Sequence, residues 1–333
     1  MTSGPTAGKV VVAPDSFKGT FTAREVAEAM AAGVRRAGGE VDLCPLADGG
    51  EGTMEVLLGA RGGERLRASV HDPLGRPLEA EFALLADGTA VLDVAAASGL
   101  PLVDPADRDP EVATTFGTGE LIAAALAAGA RRVLLAAGGS ATVDGGTGAI
   151  AALRDSGGLR RARIEILCDT REPFERAVPV FAPQKGAGPA ALPRLAKRLE
   201  SLAEQLPKDP RGVPMTGAAG GLAGGLWATF DAELRSGAEL VIAELEVPAR
   251  LSVATALISG EGRLDSQSLE GKLVGTLARL CRSHHRPLFA IAGRVDLDAE
   301  ASAAAGIVAT KEATNLAAIA AAAEELASRH LQG

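Results

Sequence analysis

The chain has 333 residues, 47% hydrophobic and 23% charged, with a formal net charge of −8. That is the make-up of a globular protein with enough length for two domains. There is no basic stripe, aromatics are 3% and tyrosine is absent, which argues against a nucleic-acid surface of clustered Lys/Arg and stacking rings. The Ala-rich run between Glu312 and Glu324 is too short to span a bilayer, the N-terminus lacks a basic region followed by an apolar one, and Cys44, Cys168 and Cys281 show no C-x-x-C spacing. A cytoplasmic protein with reduced core thiols is expected, without a membrane partner, disulfide framework or structural zinc.

The first expected element is a strand over Lys9–Ala13, ended by Pro14. The polar loop Asp15-Ser16-Phe17-Lys18-Gly19 follows, and Thr22-x-x-Glu25 forms a capping box for a helix with Val26, Met30 and Val34 on one face. Glu40–Pro45 is the next strand. It ends in Ala47-Asp48-Gly49-Gly50-Glu51-Gly52-Thr53 and a helix carrying Val56, Leu57 and Leu58. Loops that follow strands and precede helices emerge on one edge of a parallel sheet, where ligands bind.

Three alternating stretches, Arg65–His71, Leu78–Leu85 and Thr89–Val94, are separated by Asp72-Pro73-Leu74-Gly75 and Asp87-Gly88. They read as antiparallel or mixed strands, so a domain crossing is expected near residue 67. Gly117-Thr118-Gly119 opens a helix through Ala128, and the apolar strand Arg132–Ala137 feeds the turn Gly138–Gly148, with Ala149–Leu153 helical after it. Arg163–Cys168 is a strand, Phe181–Gly186 a loop, and Pro189–Gln205 a helix along Leu192, Leu195, Leu199 and Leu202. Pro207–Pro214 reads as a linker, and Gly217–Gly225 as close packing at the start of an apolar helix with Trp227 and Phe230. Ala254–Ser259, Leu288–Ala292 and Gly306–Val308 are strands of a final βαβ region that closes with a helix over Glu312–Arg329.

The chemistry gathers at strand ends. Five glycines in Gly138–Gly148 let backbone N–H groups approach a ligand, and Ser140, Thr142, Thr147 and Asp144 add three hydroxyls and a carboxylate. A phosphate with a metal suits that set; a capped helix start is the plainer alternative. The standard phosphate motifs fail, because Gly271-Lys272 is followed by Leu273 and no G-x-G-x-x-G is complete. Ser140 is not in a nucleophile elbow, and the histidines have no ligand spacing. What remains are loops that combine glycine, acid, hydroxyl and cation: Asp15/Lys18, Asp48/Glu51, Ser140/Thr142/Asp144 and Glu261/Arg263/Asp265. Phosphoryl transfer needs such parts, with cations and N–H groups for the phosphoryl and a carboxylate for the acceptor's proton.

Six segments, Ala13–Gly19, Ala47–Thr53, Phe116–Glu120, Gly138–Thr142, Pro183–Gly186 and Gly260–Asp265, resemble in order the signature segments of the class I glycerate kinase family, glycerate 2-kinase-like. The resemblance implies ATP- and Mg²⁺-dependent phosphorylation of D-glycerate, mostly at the 2-hydroxyl to give 2-phosphoglycerate. It implies an α/β fold of two domains. A flavodoxin-like parallel-sheet domain is built from both chain ends, 1–67 plus 254–333, and a second, mixed-sheet α/β domain is inserted at 68–253, with the active site in the cleft between them. A homo-oligomer is left open. The chain departs from the family pattern at Val143, where Asn is usual, and at Asp169-Thr170-Arg171-Glu172-Pro173-Phe174, where Asp-Val-x-Asn-Pro-Leu is usual. A kinase for another small hydroxy acid, or a non-catalytic binding paralogue, therefore stays open beside glycerate kinase.

With that chemistry, Lys18 and Arg263 are expected to clamp phosphate oxygens or the substrate carboxylate. Asp265, or second Asp144, would take the hydroxyl proton, and Asp48 and Glu51 would hold Mg²⁺ directly or through water. Gly138, Gly139, Ser140 and Thr142, with Gly260 and Glu261, are the expected nucleotide contacts. Asp15, Ser16, Asp48, Gly49, Gly50 and Lys272 are the expected contacts to the hydroxy acid.

Overall fold

The structure, a computed structural model, describes residues 9–269 and 272–330. The N-terminal stretch read as lacking a secretory signal, and Gly271 of the failed phosphate motif, lie outside the described residues. The strands described are β1 (Lys9–Val12), β2 (Glu40–Leu43), β3 (Gly63–His71), β4 (Pro77–Leu85), β5 (Thr89–Asp93), β6 (Arg132–Ala136), β7 (Arg163–Cys168), β8 (Glu233–Ser236), β9 (Ala256–Leu264), β10 (Leu288–Val295) and β11 (Ile307–Glu312). The chain divides into two compact units, Met1–Asp48 with Ala238–Gly333, and Gly49–Gly237.

The first unit holds a sheet of order β11-β10-β9-β1-β2 in which every neighbouring pair is parallel. Renumbered within the unit this is 2-1-3-4-5, the expected flavodoxin-like order. Helices cover a parallel sheet on both faces, so its inner strands are continuous apolar runs. Val10, Val11 and Val12 are fully buried accordingly. The helix Ala23–Arg36 starts on the expected capping box, with Thr22 and Glu25 each bonding the other's backbone. It packs so tightly on the helix Leu316–His330 that a Cβ at Gly33 would lie 2.0 Å from Ala320 O. Gly33→Ala must push the two helices apart, and denaturant titration should read a loss of about 1 to 3 kcal/mol.

The second unit holds a mixed sheet of order β3-β4-β5-β6-β7-β8. Strands β3 to β5 pair antiparallel, and β5 to β8 parallel. The units part at Asp48/Gly49, not near residue 67, because the helix Thr53–Arg61 packs on β4 and β5. They part again at Gly237/Ala238 rather than near 254. Strand β8, too short and polar to stand out in the sequence, completes the second sheet, while the helix Val247–Val253 packs on β1.

Pro207–Pro214 is therefore no boundary but a turn inside the second unit, tied by Thr216 Oγ1 donating to Pro210 O at 2.8 Å. Two expected helices are shorter than read, Leu192–Ala203 and Leu316–His330, the latter because Glu312 ends β11. The three cysteines are buried, as expected of core thiols. No described helix is long and apolar enough to cross a membrane.

Candidate active site

In a parallel sheet whose order reverses between two adjacent strands, the loops leaving their carboxyl ends diverge and open a crevice. In the first unit that point lies between β1 and β9. The loop after β1 brings Asp15 and Lys18, the loop after β2 brings Asp48, and β9 itself brings Glu261. The Asp15 N–H donates to Gly260 O at 2.8 Å, which anchors the loop to β9. Asp15 and Asp48 are buried, and Lys18 Nζ donates to Asp48 Oδ2 at 2.9 Å. The Ser16 N–H donates to Asp15 Oδ1 at 2.6 Å.

Burial, and then the charge of Asp48, hold the Asp15 carboxyl well above the usual range against the pull of Lys18. Burial also pushes Glu261 up to about 7; Ser268, Lys272 and Lys18 oppose the rise and Asp48 adds to it. Glu261 Oε1 is buried without a hydrogen-bond partner. Crowded carboxylates of this kind are relieved by a proton or by a cation, so the cluster is suited to both.

Arg263 and Asp265 have partners of their own. Arg263 Nε lies 2.6 Å from Asp296 Oδ2 and 3.4 Å from Asp265 Oδ2, and Arg294 Nε holds the other Asp296 oxygen at 2.8 Å. Asp265 Oδ1 accepts from the Gln267 N–H at 3.0 Å and the Ser268 N–H at 3.3 Å. Those bonds start the short helix Ser266–Leu269. Arg263, Asp265, Asp296 and Asp298 line an open cavity of about 590 Å³ that includes none of Asp15, Lys18, Asp48 or Glu261. Lys272 precedes the helix Leu273–Ser283, and its charge reaches Glu261.

In the second unit the turn after β6 packs on the loop Gly49–Gly52. A Cβ at Gly138 would lie 2.5 Å from Gly50 Cα, so only glycine allows this approach, and Gly139, at φ +72°, turns the chain beside it. Asp93, which the sequence reading passed over, ends β5 and accepts from the Gly52 N–H at 2.7 Å and the Met54 N–H at 3.1 Å. It thereby caps the helix Thr53–Arg61, and burial pushes its carboxyl up to about 7. The signal was an acid closing an apolar strand, Ala90-Val91-Leu92-Asp93.

Three expected contacts are corrected. Ser140 Oγ and Thr142 O both accept from Lys185 Nζ, at 2.7 and 2.8 Å, and the Thr142 side chain is fully buried. The two hydroxyls therefore turn inward, and the exposed Gly139 and half-buried Gly138 are what the loop presents. Asp144 Oδ2 accepts from the Thr115 N–H at 2.9 Å, Thr115 Oγ1 at 2.8 Å and the Gly148 N–H at 3.2 Å, and Oδ1 accepts from the Gly146 N–H at 3.0 Å. A carboxylate engaged by these four donors braces the turn, and its Oδ2 is fully committed. Among the described residues no three His, Cys, Asp or Glu side chains converge as a metal cage, so an ion at Asp48 would take its other ligands from a nucleotide and water.

The profile of the Glycerate kinase family matches residues 10–161 and 154–332. The chain belongs to the glycerate kinase family. It is 38% identical over 328 residues to the glycerate 2-kinase of Escherichia coli (strain K12), covering 87% of this chain and 86% of that one. It is 38% identical over 331 residues to the glycerate kinase of Bacillus subtilis (strain 168), covering 88% and 87%. A crystal structure from Salmonella typhimurium LT2 bearing the name glycerate kinase 2 superposes with a TM-score of 0.80 at 35% identity, covering 96% and 97%. The expected enzyme class, a phosphotransferase, holds for this member of the glycerate kinase family.

The departure of this glycerate kinase family chain at Val143 has a packing reason. Val143 is fully buried in a cluster with Phe174, Val178, Leu195 and Leu199. Glu172 is answered by Arg176 Nε at 3.3 Å. Val143→Asn would bury an amide among these apolar groups, and urea unfolding should register a loss of about 2 to 4 kcal/mol.

Proposed function

We propose that the chain catalyses ATP- and Mg²⁺-dependent phosphorylation of D-glycerate at the 2-hydroxyl, giving 2-phosphoglycerate, in the cytoplasm. The observation that carries this reading is the Asp15–Lys18–Asp48–Glu261 cluster at the switch point of the parallel sheet. The name of the Escherichia coli relative supports the 2-hydroxyl.

The residues fit a divalent ion: the charge of Asp48 raises both Asp15 and Glu261, and Glu261 Oε1 has no hydrogen-bond partner. Asp48 would hold Mg²⁺, since this ion keeps several waters and takes one or two carboxylates beside a nucleotide. When bound, the ion neutralises charge on the phosphates. Glu261 takes the proton of the 2-hydroxyl, because a base titrating near 7 matches the working pH and one of its oxygens is uncommitted. Lys18 and Lys272 stabilise negative charge on the transferring phosphoryl. Asp15 and Ser16 shape the hydroxy-acid site, whereas Arg263, held by Asp265 and Asp296, lines a separate cavity and is left out of it. The backbone N–H groups of Gly138 and Gly139 receive nucleotide phosphates, while Gly260 is buried inside β9.

The test is a coupled ADP assay with D-glycerate, ATP and MgCl₂, followed by ³¹P NMR of the product. ADP release that requires both D-glycerate and Mg²⁺, with phosphate on the 2-oxygen, is the expected result. Turnover of other hydroxy acids but not D-glycerate would replace the substrate, and none with any would leave a binding protein.

A further inference from the structure

Lys185 ends the short turn Pro183–Lys185 of the second unit and is only 4% exposed. An ammonium is strongly hydrated, so burying one without a carboxylate against it is costly. Here the acceptors are a hydroxyl and a carbonyl, Ser140 Oγ and Thr142 O, both in the loop after β6. Gly186, at φ +100°, turns the chain at once, and a Cβ there would lie 2.6 Å from Arg108 O.

The charged groups packed about this place come from three elements. Asp144, on the loop itself, favours the ammonium but is engaged by four donors. Arg108 lies against Gly186, with its Nε buried and unpartnered. Arg198, on the helix Leu192–Ala203, donates to Val143 O at 2.6 Å. Arg198 also faces Glu111, whose carboxyl its charge lowers, so among the described residues Asp144 is the charged group that acts on the Lys185 ammonium, and no carboxylate is hydrogen-bonded to it.

We propose that Lys185 is a positioning residue that locks the Gly138–Thr142 loop from inside and supplies the buried positive charge with which that loop holds an oxyanion, a phosphate or a carboxylate. This rests on the reading of the loop as a phosphate site. Burial pushes the Lys185 ammonium down to about 7, with Asp144 opposing. An anion on the loop favours the ammonium and raises that value. Binding therefore takes up protons just above pH 7. Affinity is full below about 7 and falls as pH rises, until Lys185 is neutral in the bound state too.

Calorimetry at pH 8 in two buffers of different ionisation enthalpy reads the proton directly. A non-hydrolysable ATP analogue with MgCl₂, and separately D-glycerate, are titrated into the full chain, Lys185→Met and Ser140→Ala. The parent should take up a fraction of a proton with one of the two ligands, which names the source of the oxyanion. For that ligand Kd should rise about tenfold between pH 7 and pH 8.5. Lys185→Met should lose both the uptake and the pH slope and bind about tenfold more weakly at pH 7. If Lys185→Met fails to fold, Ser140→Ala decides, since it keeps the cation: uptake should persist with the slope moved to lower pH. Parental uptake in a folded Lys185→Met, or an unshifted slope in Ser140→Ala, overturns the inference and leaves the phosphate site standing. No binding of the analogue by the parent removes the phosphate site, and no uptake with either ligand removes the role of Lys185.

Discussion

Glu261→Gln should lower kcat by about 10² to 10⁴, the range in which a positioned general base contributes, while Asp265→Asn costs less than about tenfold. The two acids lie four residues apart and belong to one signature segment, yet their surroundings differ. Asp265 has an oxygen committed to the N–H groups of Gln267 and Ser268. Glu261 has a buried oxygen with no partner and titrates near 7. A base must be ionised, so kcat should rise with pH through about 7, and this acid limb should vanish in Glu261→Gln. Stability separates the loss of activity from unfolding. Because the folded state raises the Glu261 value from 4.5 to about 7, its contribution to stability is full below about 4.5 and gone above about 7. Gln at this position therefore leaves stability at pH 8 unreduced. A larger loss in Asp265→Asn than in Glu261→Gln would return the base to Asp265.

Lys18→Met should lower kcat/KM by about 10² or more and shift the acid limb to higher pH. Lys18 is the first cation against Asp48, at 2.9 Å, and its charge lowers both Asp15 and Glu261. Without it both carboxyls hold their protons more tightly, so more alkaline solution is needed to free the base. The cost in stability should be small, about 1 kcal/mol, because the Lys18 side chain is 53% exposed and water screens the pair. Lys18→Arg should restore the position of the limb but not the full rate, since a planar guanidinium does not reproduce a compact ammonium. Full pH–rate profiles of the three proteins check this, and an unmoved limb in Lys18→Met would remove Lys18 from the cluster.

The features legible along the chain are those encoded within a few residues. The capping box of Thr22 and Glu25 is a three-residue relation, and the strands β3 to β5 announce themselves by alternation and by their turns. The glycine-and-acid loops stand at strand ends because a parallel sheet puts every such loop on one edge, and their order carried the family resemblance.

What tertiary structure alone decided is which of several like residues is free to act. Asp144 and Glu261 both look like acids at strand ends, but Thr115, 29 residues from Asp144, occupies one of them, while no donor reaches Glu261 Oε1. The Ser140 and Thr142 hydroxyls face inward because Lys185, 45 and 43 residues away, binds Ser140 Oγ and the Thr142 carbonyl and the Thr142 side chain is fully buried. The unit boundaries moved for the same reason, since the helix Thr53–Arg61 and the polar edge strand β8 are assigned by the sheet they pack on. Local pattern fixes conformation; burial, hydrogen-bond satisfaction and charge are set by neighbours distant along the chain, and those decide the chemistry.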